Sequence, residues 1–591
     1  MVVKAIQIVK RIELVGYIIC LLCLFWPWGK VSYLIPSQID IVSNMQLVLL
    51  VQLLIVAIVR FLEKRLSLRL TWGDCLFAVY CLYIFCRGGL YTLNYIELST
   101  IILFYGVFRT IRINQIIPCL MTVWLLGCLQ VVYGFYKQSG FGYTPDVYLG
   151  RITGTFFNTG IFGGYILILF SIGLCCWWIL PIINKWRWEY LILSIFYLLV
   201  IYNTSSRAAW LVCLFLIVYI FLDRYGWFRS RVLYAFGLFF VLLALLVVVC
   251  ICNDYKMDSI AGRLMIWVIA FRMICLHPIF GLGMNGFQSA YMEYQAAYST
   301  FPSFKKWAYL LDDNLFAFNE FMRIAVEQGL IGLMLVSGIL YVLLVKEKPV
   351  KEEKLCRIMK VLILVWVLFG LFSYPFSVFQ MCLLLVLFIA IRISLESTGM
   401  MVKYTAVRWM VQWVLLIGIF IGIRHSCLRP YADSLKEWSD ILRVSTFETP
   451  KVTIEKLKRV EPYLKEEAGF SLSLARLYQT DKQYEEALRC YETSNCLRSS
   501  FTTVIEYAEV CMQTGRYIQA DSLLYLAKNM IPSRIKPYYC LALSLHKQGK
   551  PEEACRVLQE GLAKPIKVNT VYTDDLLLRM RELKKEICSD K

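Results

Sequence analysis

Arg207 stands in "YNTSSRAAWL" (202–211), between the apolar runs "YLILSIFYLLVIY" and "AAWLVCLFLIVYIFL". A charge is costly there unless it has a task, and a guanidinium suits phosphate or carboxylate, which it grips through two parallel N–H donors. A second arginine, Arg263, lies four residues before Trp267 in "AGRLMIWVIAFRMICLHPIFGLGMNGF" (261–287), which puts both on one helix face. A third segment, "DDNLFAFNEFMRIAVEQGLIGL" (312–333), holds Asp313, Asn319, Glu320, Arg323 and Glu327, the last four at near-helical spacing, so several can face one cavity. Buried carboxylates of raised pKa in such a cavity suit proton transfer from a hydroxyl. Each residue also has a plainer reading: Arg263 snorkelling to phosphate headgroups, Glu320 and Arg323 pairing with each other, Glu327 anchoring its own helix. Tyr291, Tyr294, Tyr298, Trp307 and Tyr309 either stack on sugar rings or form an interfacial aromatic belt.

The elements that position these residues are membrane spans. The 591 residues are 59% hydrophobic and 17% charged, with a mean hydropathy of +0.62, whereas soluble domains are nearer half apolar and a quarter charged. Apolar runs near 12–28, 42–59, 72–86, 93–108, 114–136, 157–181, 189–203, 208–222, 232–252, 328–345, 361–374, 376–391 and 409–424 give about 12 to 13 spans. The basic start and first run lack an A-x-A-like cleavage site and read as a retained span. The segment 261–287 reads as too short and too charged to span, and so as an amphipathic helix in the outer interface. Most of the 22 cysteines are scattered singly through apolar runs, where Cys acts as a small hydrophobe. No cofactor or metal is expected.

With a cytoplasmic N-terminus, the inside connections carry 23 Lys and Arg, while the short outside loops carry only Lys30, Arg87, Lys137, Arg151 and Arg207. That asymmetry places Arg207, the loop 253–327 and everything after 424 on the outer face. The side of the C-terminal region turns on whether 361–391 holds two spans. Residues 425–591 hold 26 Lys+Arg against 23 Asp+Glu, so the net charge of +19 lies mainly in the membrane half and reads as topology rather than as a nucleic-acid surface.

From 425 the composition is that of a soluble domain, and a repeat emerges. "YEEAL" at 484, "YIQAD" at 517 and "PEEAC" at 551 align Ala487, Ala520 and Ala554 at intervals of 33 and 34 residues, each after a short turn, "QTDKQ", "QTGR" and "KQGK". This is the period of tetratricopeptide helix pairs, which stack into a curved binding surface; 450–468 reads as an added capping helix. The seven cysteines of this region look like core, and their odd number fits an unpaired framework. The expected architecture is all-α: a polytopic membrane bundle over 1–424, with the outer loop 253–327 between spans 9 and 10, and a soluble repeat domain over 425–591.

"SSRAAWL", "GRLMIW...HPIFGLGMNGF" and "FNEFMRIAVEQGLIGL", in this order and with a long outer loop, resemble the O-antigen ligase/polymerase family of bacterial envelope polysaccharide enzymes over roughly 145–345. A tetratricopeptide tail is also seen in that family. The resemblance implies a metal-independent, inverting transferase of the fold called GT-C. It implies transfer of a saccharide from a polyprenyl (undecaprenyl) diphosphate carrier to an acceptor hydroxyl, on lipopolysaccharide core or another lipid-anchored glycan, at the outer face of the cytoplasmic membrane. Arg207 and Arg263 match the family's functional arginines; Asn319, Arg323, Glu327 and Trp267 are carried as substrate-binding candidates, Glu320 and Asp313 as candidate bases. Members commonly place a His before the Asn of the third motif; here it is Phe318, and none of His277, His425 and His546 matches that position.

Two alternatives stand beside this reading. One is a protein O-oligosaccharyltransferase of the same family, whose repeats present the acceptor protein. The other is a non-enzymatic scaffold or flippase-like transporter recruiting partners through its repeats, although neither internal membrane repeats nor midplane charges are evident. The expected partners are the lipid-linked donor, a glycan or protein acceptor, membrane lipids and a protein on the repeats, with no nucleic acid.

Overall fold

A computed structural model of the chain describes residues 2–25, 36–88, 93–138, 152–156, 158–179, 187–224, 237, 239–240, 242–243, 257–305, 307–346, 348–567 and 569–588. The expected ninth span (232–252) lies almost wholly outside the described residues, as do Lys30 and Arg151. In chain order the main elements are α1 (Val2–Leu22), α2 (Pro36–Leu62), β1 (Ser67–Leu70), α3 (Trp72–Arg87), α4 (Leu93–Arg109), α5 (Ile113–Gln138), α6 (Thr159–Ile179), α7 (Arg187–Asn203) and α8 (Arg207–Arg224). There follow α9 (Met257–Leu276), α10 (Gly286–Ser299), α11 (Glu320–Leu340), α12 (Glu353–Gly370), α13 (Phe379–Ser394), β2 (Met400–Lys403), α14 (Ala406–Ile423) and α15 (Arg429–Val444). The C-terminal series is α16 (Pro450–Leu464), α17 (Ala468–Thr480), α18 (Tyr484–Leu497), α19 (Phe501–Gln513), α20 (Tyr517–Met530), α21 (Lys536–Lys547), α22 (Pro551–Leu562) and α23 (Val571–Cys588). The fold is all-α apart from the antiparallel β1–β2 pair, Ser67 opposite Lys403.

Among the described residues six helical stretches are long and apolar enough to cross a bilayer: Asn44–Leu62, Ile113–Gln138, Thr159–Ile179, Asp258–Leu276, Glu320–Val345 and Ala406–Phe447. This differs from the 12 to 13 expected. Most of the remaining apolar runs do form helices, but ones of 16 to 18 residues, such as α3, α7 and α13, below the roughly 20 residues a hydrocarbon core needs. Asp258–Leu276 corrects the expectation in the other direction: helical order begins before Arg263, so the segment gains the length that the sequence reading denied it. The turn "SYPFS" separates α12 from α13, so 361–391 does hold two helices.

Compact packing divides the chain into two units that do not follow chain order. The first is Met1–Tyr255, Phe318–Phe321 and Ile331–Ala432; the second is Lys256–Ala317, Met322–Leu330 and Asp433–Lys591. In the first, α6 is central and packs against α5, α7, α8 and α12. Lipid offers no hydrophobic drive for helices to associate, so close backbone approach through small residues does that work. A Cβ on Gly163 would sit 2.7 Å from Thr204 Oγ1, and one on Gly164 would enter the Phe369 ring. Gly163 and Gly164, near the start of α6, are therefore explained by packing. Ion pairs tie the helix ends: Arg109 to Asp74 (2.7 Å), Arg357 to Asp223 (2.6 Å), and Lys348 (2.9 Å) and Arg392 (3.5 Å) to Glu396.

In the second unit α16 to α23 form a series of helices, each packed on the next. Ala487, Ala520 and Ala554 are fully buried where helices meet. The three turns of the repeat each close on a left-handed residue, Lys482, Gly515 and Gly549, which ends one helix and reverses the chain. The expectation of unpaired cysteines is corrected here: a disulfide joins Cys555 to Cys588 across 33 residues, with Cα atoms 6.2 Å apart, and holds α23 on α22. A loop of that length stabilises by about 3 to 4 kcal/mol through the unfolded chain. Cys588→Ser is expected to lower the melting temperature and to release one new alkylatable thiol at residue 555 without reductant. One thiol fewer in the variant than in wild type would refute the pairing.

Candidate active site

Arg207 is set by the turn between α7 and α8. The Thr204 hydroxyl donates to Ile201 O (2.7 Å) and the Ser206 hydroxyl to Gly160 O (3.3 Å). Ser205 is left-handed (φ 53°). Trp210 Nε1 donates back to Ile201 O (3.1 Å), and its ring stacks on Tyr202. The turn is thus fastened to both neighbouring helices and to α6, and half-buried Arg207 opens α8, whose first turn holds no acidic residue. A guanidinium added to the positive pole of a helix favours an anion at that position.

The second and third motifs join backbone to backbone. After α9 the chain turns through "HPIFGLG" and pairs with the end of the 320–328 helix: Leu282 N donates to Val326 O (2.8 Å), Gly283 N to Glu327 O (2.9 Å) and Leu330 N to Pro278 O (2.8 Å). Gly281 and Gly329 both have φ of 66°, and α11 is broken at Gly329. A Cβ on Gly281 would lie 2.6 Å from backbone atoms of Val326, Glu327 and Gly329. Glycine at both positions is what allows the two backbones to meet in this junction.

The remaining candidates fall as follows. Trp267 Nε1 donates to Ala317 O (3.0 Å), tying the approach to the third motif onto α9, one turn from half-buried Arg263. Arg323 lies 3.6 Å from Glu327, whose side chain is 2% exposed. Asn319 Oδ1 accepts from Phe321 N (3.0 Å) and so opens α11 as its cap. Buried Glu320 accepts from Phe376 N through Oε1 (2.6 Å), and Phe318 meets Tyr374 edge-on at 5.3 Å. The turn 374–377 thus seats the third motif, a role its sequence does not announce. Desolvation by surrounding atoms pushes the Asp313 carboxyl above the ordinary range; Arg498 and Arg534 oppose this and Asp312 adds to it. Arg207, Asn319 and Glu320 belong to the first unit, and Arg263, Trp267, Asp313, Arg323 and Glu327 to the second.

Of the aromatic candidates, Tyr291 is fully buried and stacked on Phe287, which makes it core. Tyr309 donates to Asp258 (2.9 Å), and Tyr294 pairs with His277 (3.1 Å). Among the described residues five non-glycines are left-handed, and three of them, Ser205, Asn285 and Phe318, lie one in each motif. Such strain clusters where function over-determines the backbone. No group of three or more His, Cys, Asp or Glu disposed to hold a metal ion occurs among the described residues.

Because Glu320 serves the Phe376 amide, that role is separable from the base role expected of it from the sequence. Glu320→Gln keeps an acceptor there and is expected to keep stability, whereas Glu320→Ala leaves the amide unpaired at a cost of about 1–3 kcal/mol. Loss of a working base lowers activity roughly a hundredfold or more. A Glu320→Gln enzyme with the wild-type rate would confine the residue to seating the turn.

Residues 191–337 match the family model described as O-antigen ligase. No curated protein matches the chain. Among solved structures the chain is similar to yeast Tom70 (10% identity, TM-score 0.24, covering 87% of this chain and 96% of that one). It is also similar to the Cut9–Hcn1 hetero-tetramer of APC/C (11% identity, TM-score 0.20, covering 92% and 89%). Superposition at those scores carries no weight, and the helical-repeat description rests on α16 to α23 themselves. The matched segment runs from α7 through the Arg207 turn, α9 and the glycine junction into α11, so this chain carries, over residues 191–337, a segment similar to the O-antigen ligase family.

Proposed function

We propose that this multi-pass membrane protein transfers a saccharide from a polyprenyl-diphosphate-linked donor to an acceptor hydroxyl at the outer face of the cytoplasmic membrane. Glycosyl transfer in O-antigen processing is the coarser reading that the family domain supports. The observation that carries the finer one is Arg207, half-buried at the start of α8 in a turn fastened on both sides. A guanidinium there grips a diphosphate through charge-assisted hydrogen bonds and stabilises the charge that grows as the carrier leaves. Arg263 carries a guanidinium of the same binding chemistry in the second motif.

In the reaction the acceptor oxygen attacks the anomeric carbon as the bond from that carbon to the diphosphate oxygen breaks. The bonding pair leaves with the carrier diphosphate, and the acceptor's proton passes to a carboxylate, Glu320 or Asp313. One displacement inverts the anomeric centre, and charge stabilisation by the arginines makes the step independent of a metal ion. Outward placement of the repeat domain is supported by the Cys555–Cys588 pair, since disulfides persist in oxidising compartments.

Comparing surface glycolipids and glycoproteins of strains with and without the protein tests the reading. A glycan ladder collapsing to one repeat makes the protein a polymerase, loss of capped core a ligase, and deglycosylated secreted proteins a protein oligosaccharyltransferase. Unchanged glycans in all three fractions would sink it.

A further inference from the structure

The repeat domain already holds a helix from elsewhere in its own chain. Within the second unit α10 packs against α20 and α18, and buries Phe287, Tyr291, Met292, Gln295, Ala296 and Ser299. Ser499 N, between α18 and α19, donates to Ser289 O (3.1 Å).

Gln295 is 0% exposed. Its amide nitrogen donates to Met530 O (2.7 Å), the last carbonyl of α20, and to Asp312 O (3.0 Å). One side chain therefore joins the outer-loop helix, the end of a repeat helix and the acidic segment. The end of a helix leaves carbonyls without partners, and Gln295 supplies one where water is excluded. Lys567, just after α22, donates from Nζ to Leu311 O (3.1 Å). Arg534 reaches Asp312 at 3.5 Å, but both side chains are about half exposed, so this pair adds little.

We propose that the partner of this repeat surface is the chain's own segment 286–314, and that Gln295 and Lys567 are positioning residues that fix Leu311–Ala317, the stretch leading directly into Asn319 and Glu320. The positioning half rests on the transferase reading; the docking half stands on geometry alone. A repeat surface covered by α10 is not open to an acceptor protein at that place, so the domain serves as a clamp on the loop and not as a recruiter there. Because the held atoms are backbone carbonyls, the clamp fixes where the chain lies without demanding particular side chains at 311 and 312.

The test uses the full-length protein in lipid nanodiscs, with Gln295→Leu, Lys567→Met and Lys567→Arg. Amide hydrogen exchange over 308–317 is expected to speed up about tenfold or more in Gln295→Leu and Lys567→Met. The KM for acceptor is expected to rise by a similar factor with the KM for donor unmoved, and Lys567→Arg, which keeps a donor for Leu311 O, restores both. A purely structural defect would lower the melting temperature and affect both substrates alike. Unchanged exchange in both damaging variants would overturn the clamp, and a released loop with unchanged acceptor KM would overturn the positioning role. Should the wild-type protein transfer no glycan from any polyprenyl diphosphate, the positioning role falls with the transferase reading, while hydrogen exchange still decides the clamp.

Discussion

Arg207→Ala is expected to lower glycan transfer by about a hundred- to a thousandfold, the loss typical when a preorganised donor to a developing charge is removed, with the protein inserting and melting as wild type does. Stability is spared because the turn is held by Thr204, Ser206 and Trp210, none of whose bonds uses the guanidinium. Activity is not spared on the transferase reading, because a guanidinium at the positive pole of α8 is placed to grip the donor's diphosphate. Arg207→Lys keeps the charge but loses the planar fork, and should recover only a small part of the rate. Arg263→Ala is expected to behave alike. The decisive measurement is single-turnover transfer from a lipid diphosphate donor with insertion monitored in parallel. Wild-type rates in both alanine variants would end the enzymatic reading and favour the scaffold.

The largest effect on stability is expected at the glycine junction. In Gly281→Ala the new methyl would lie 2.6 Å from three backbone atoms of the 326–329 segment, and backbone cannot move aside as a flexible side chain can. Gly329 combines φ of 66° with ψ of −167°, a region that is essentially glycine's alone. Each substitution should cost about 3 kcal/mol or more, within the range of severe single-site effects, and should appear as a melting temperature lowered by several degrees or as loss of folded protein. Gly262→Ala is the control. Its Cβ meets nothing within 4 Å inside α9, and alanine there should be neutral or stabilise by up to about 1 kcal/mol. Equal melting of Gly281→Ala and Gly262→Ala would refute the junction.

These two expectations differ in how far the sequence announces them. Arg207 is conspicuous because a charge interrupts two apolar runs, and that contrast is local. Gly281 and Gly329 are 48 residues apart in the sequence, and neither their composition nor their spacing says that one backbone hydrogen-bonds to the other. The same holds for Glu320 and Phe376, and for Gln295 and Met530. In each pair one partner is a main-chain group, which every residue possesses, so side-chain pattern carries no mark of it.

The cysteines make a related point. Parity suggested an unpaired set, but pairing depends on which Cα atoms come within about 7 Å, and the fold of α22 and α23 brings only one such pair together in the repeat domain among the described residues. Span lengths make another point: apolarity is legible in the sequence, but where each helix begins and ends is set by caps and turns, and among the described residues Trp188–Asn203 and Phe379–Ser394 are apolar yet shorter than 18 residues.

The sequence by itself determined the membrane character, the helical class, the 33- and 34-residue repeat with its buried alanines, the three motifs and the resemblance of 191–337 to the O-antigen ligase family. All of these are written in local chemistry: apolar runs, small residues at fixed period, arginines where lipid forbids charge. Tertiary structure alone decided that the outer loop packs with the repeat domain, that the second and third motifs meet through main-chain hydrogen bonds, and that Glu320 rests on the 374–377 turn. Those contacts join backbone groups distant along the chain, and only the folded path of the chain selects which of them meet.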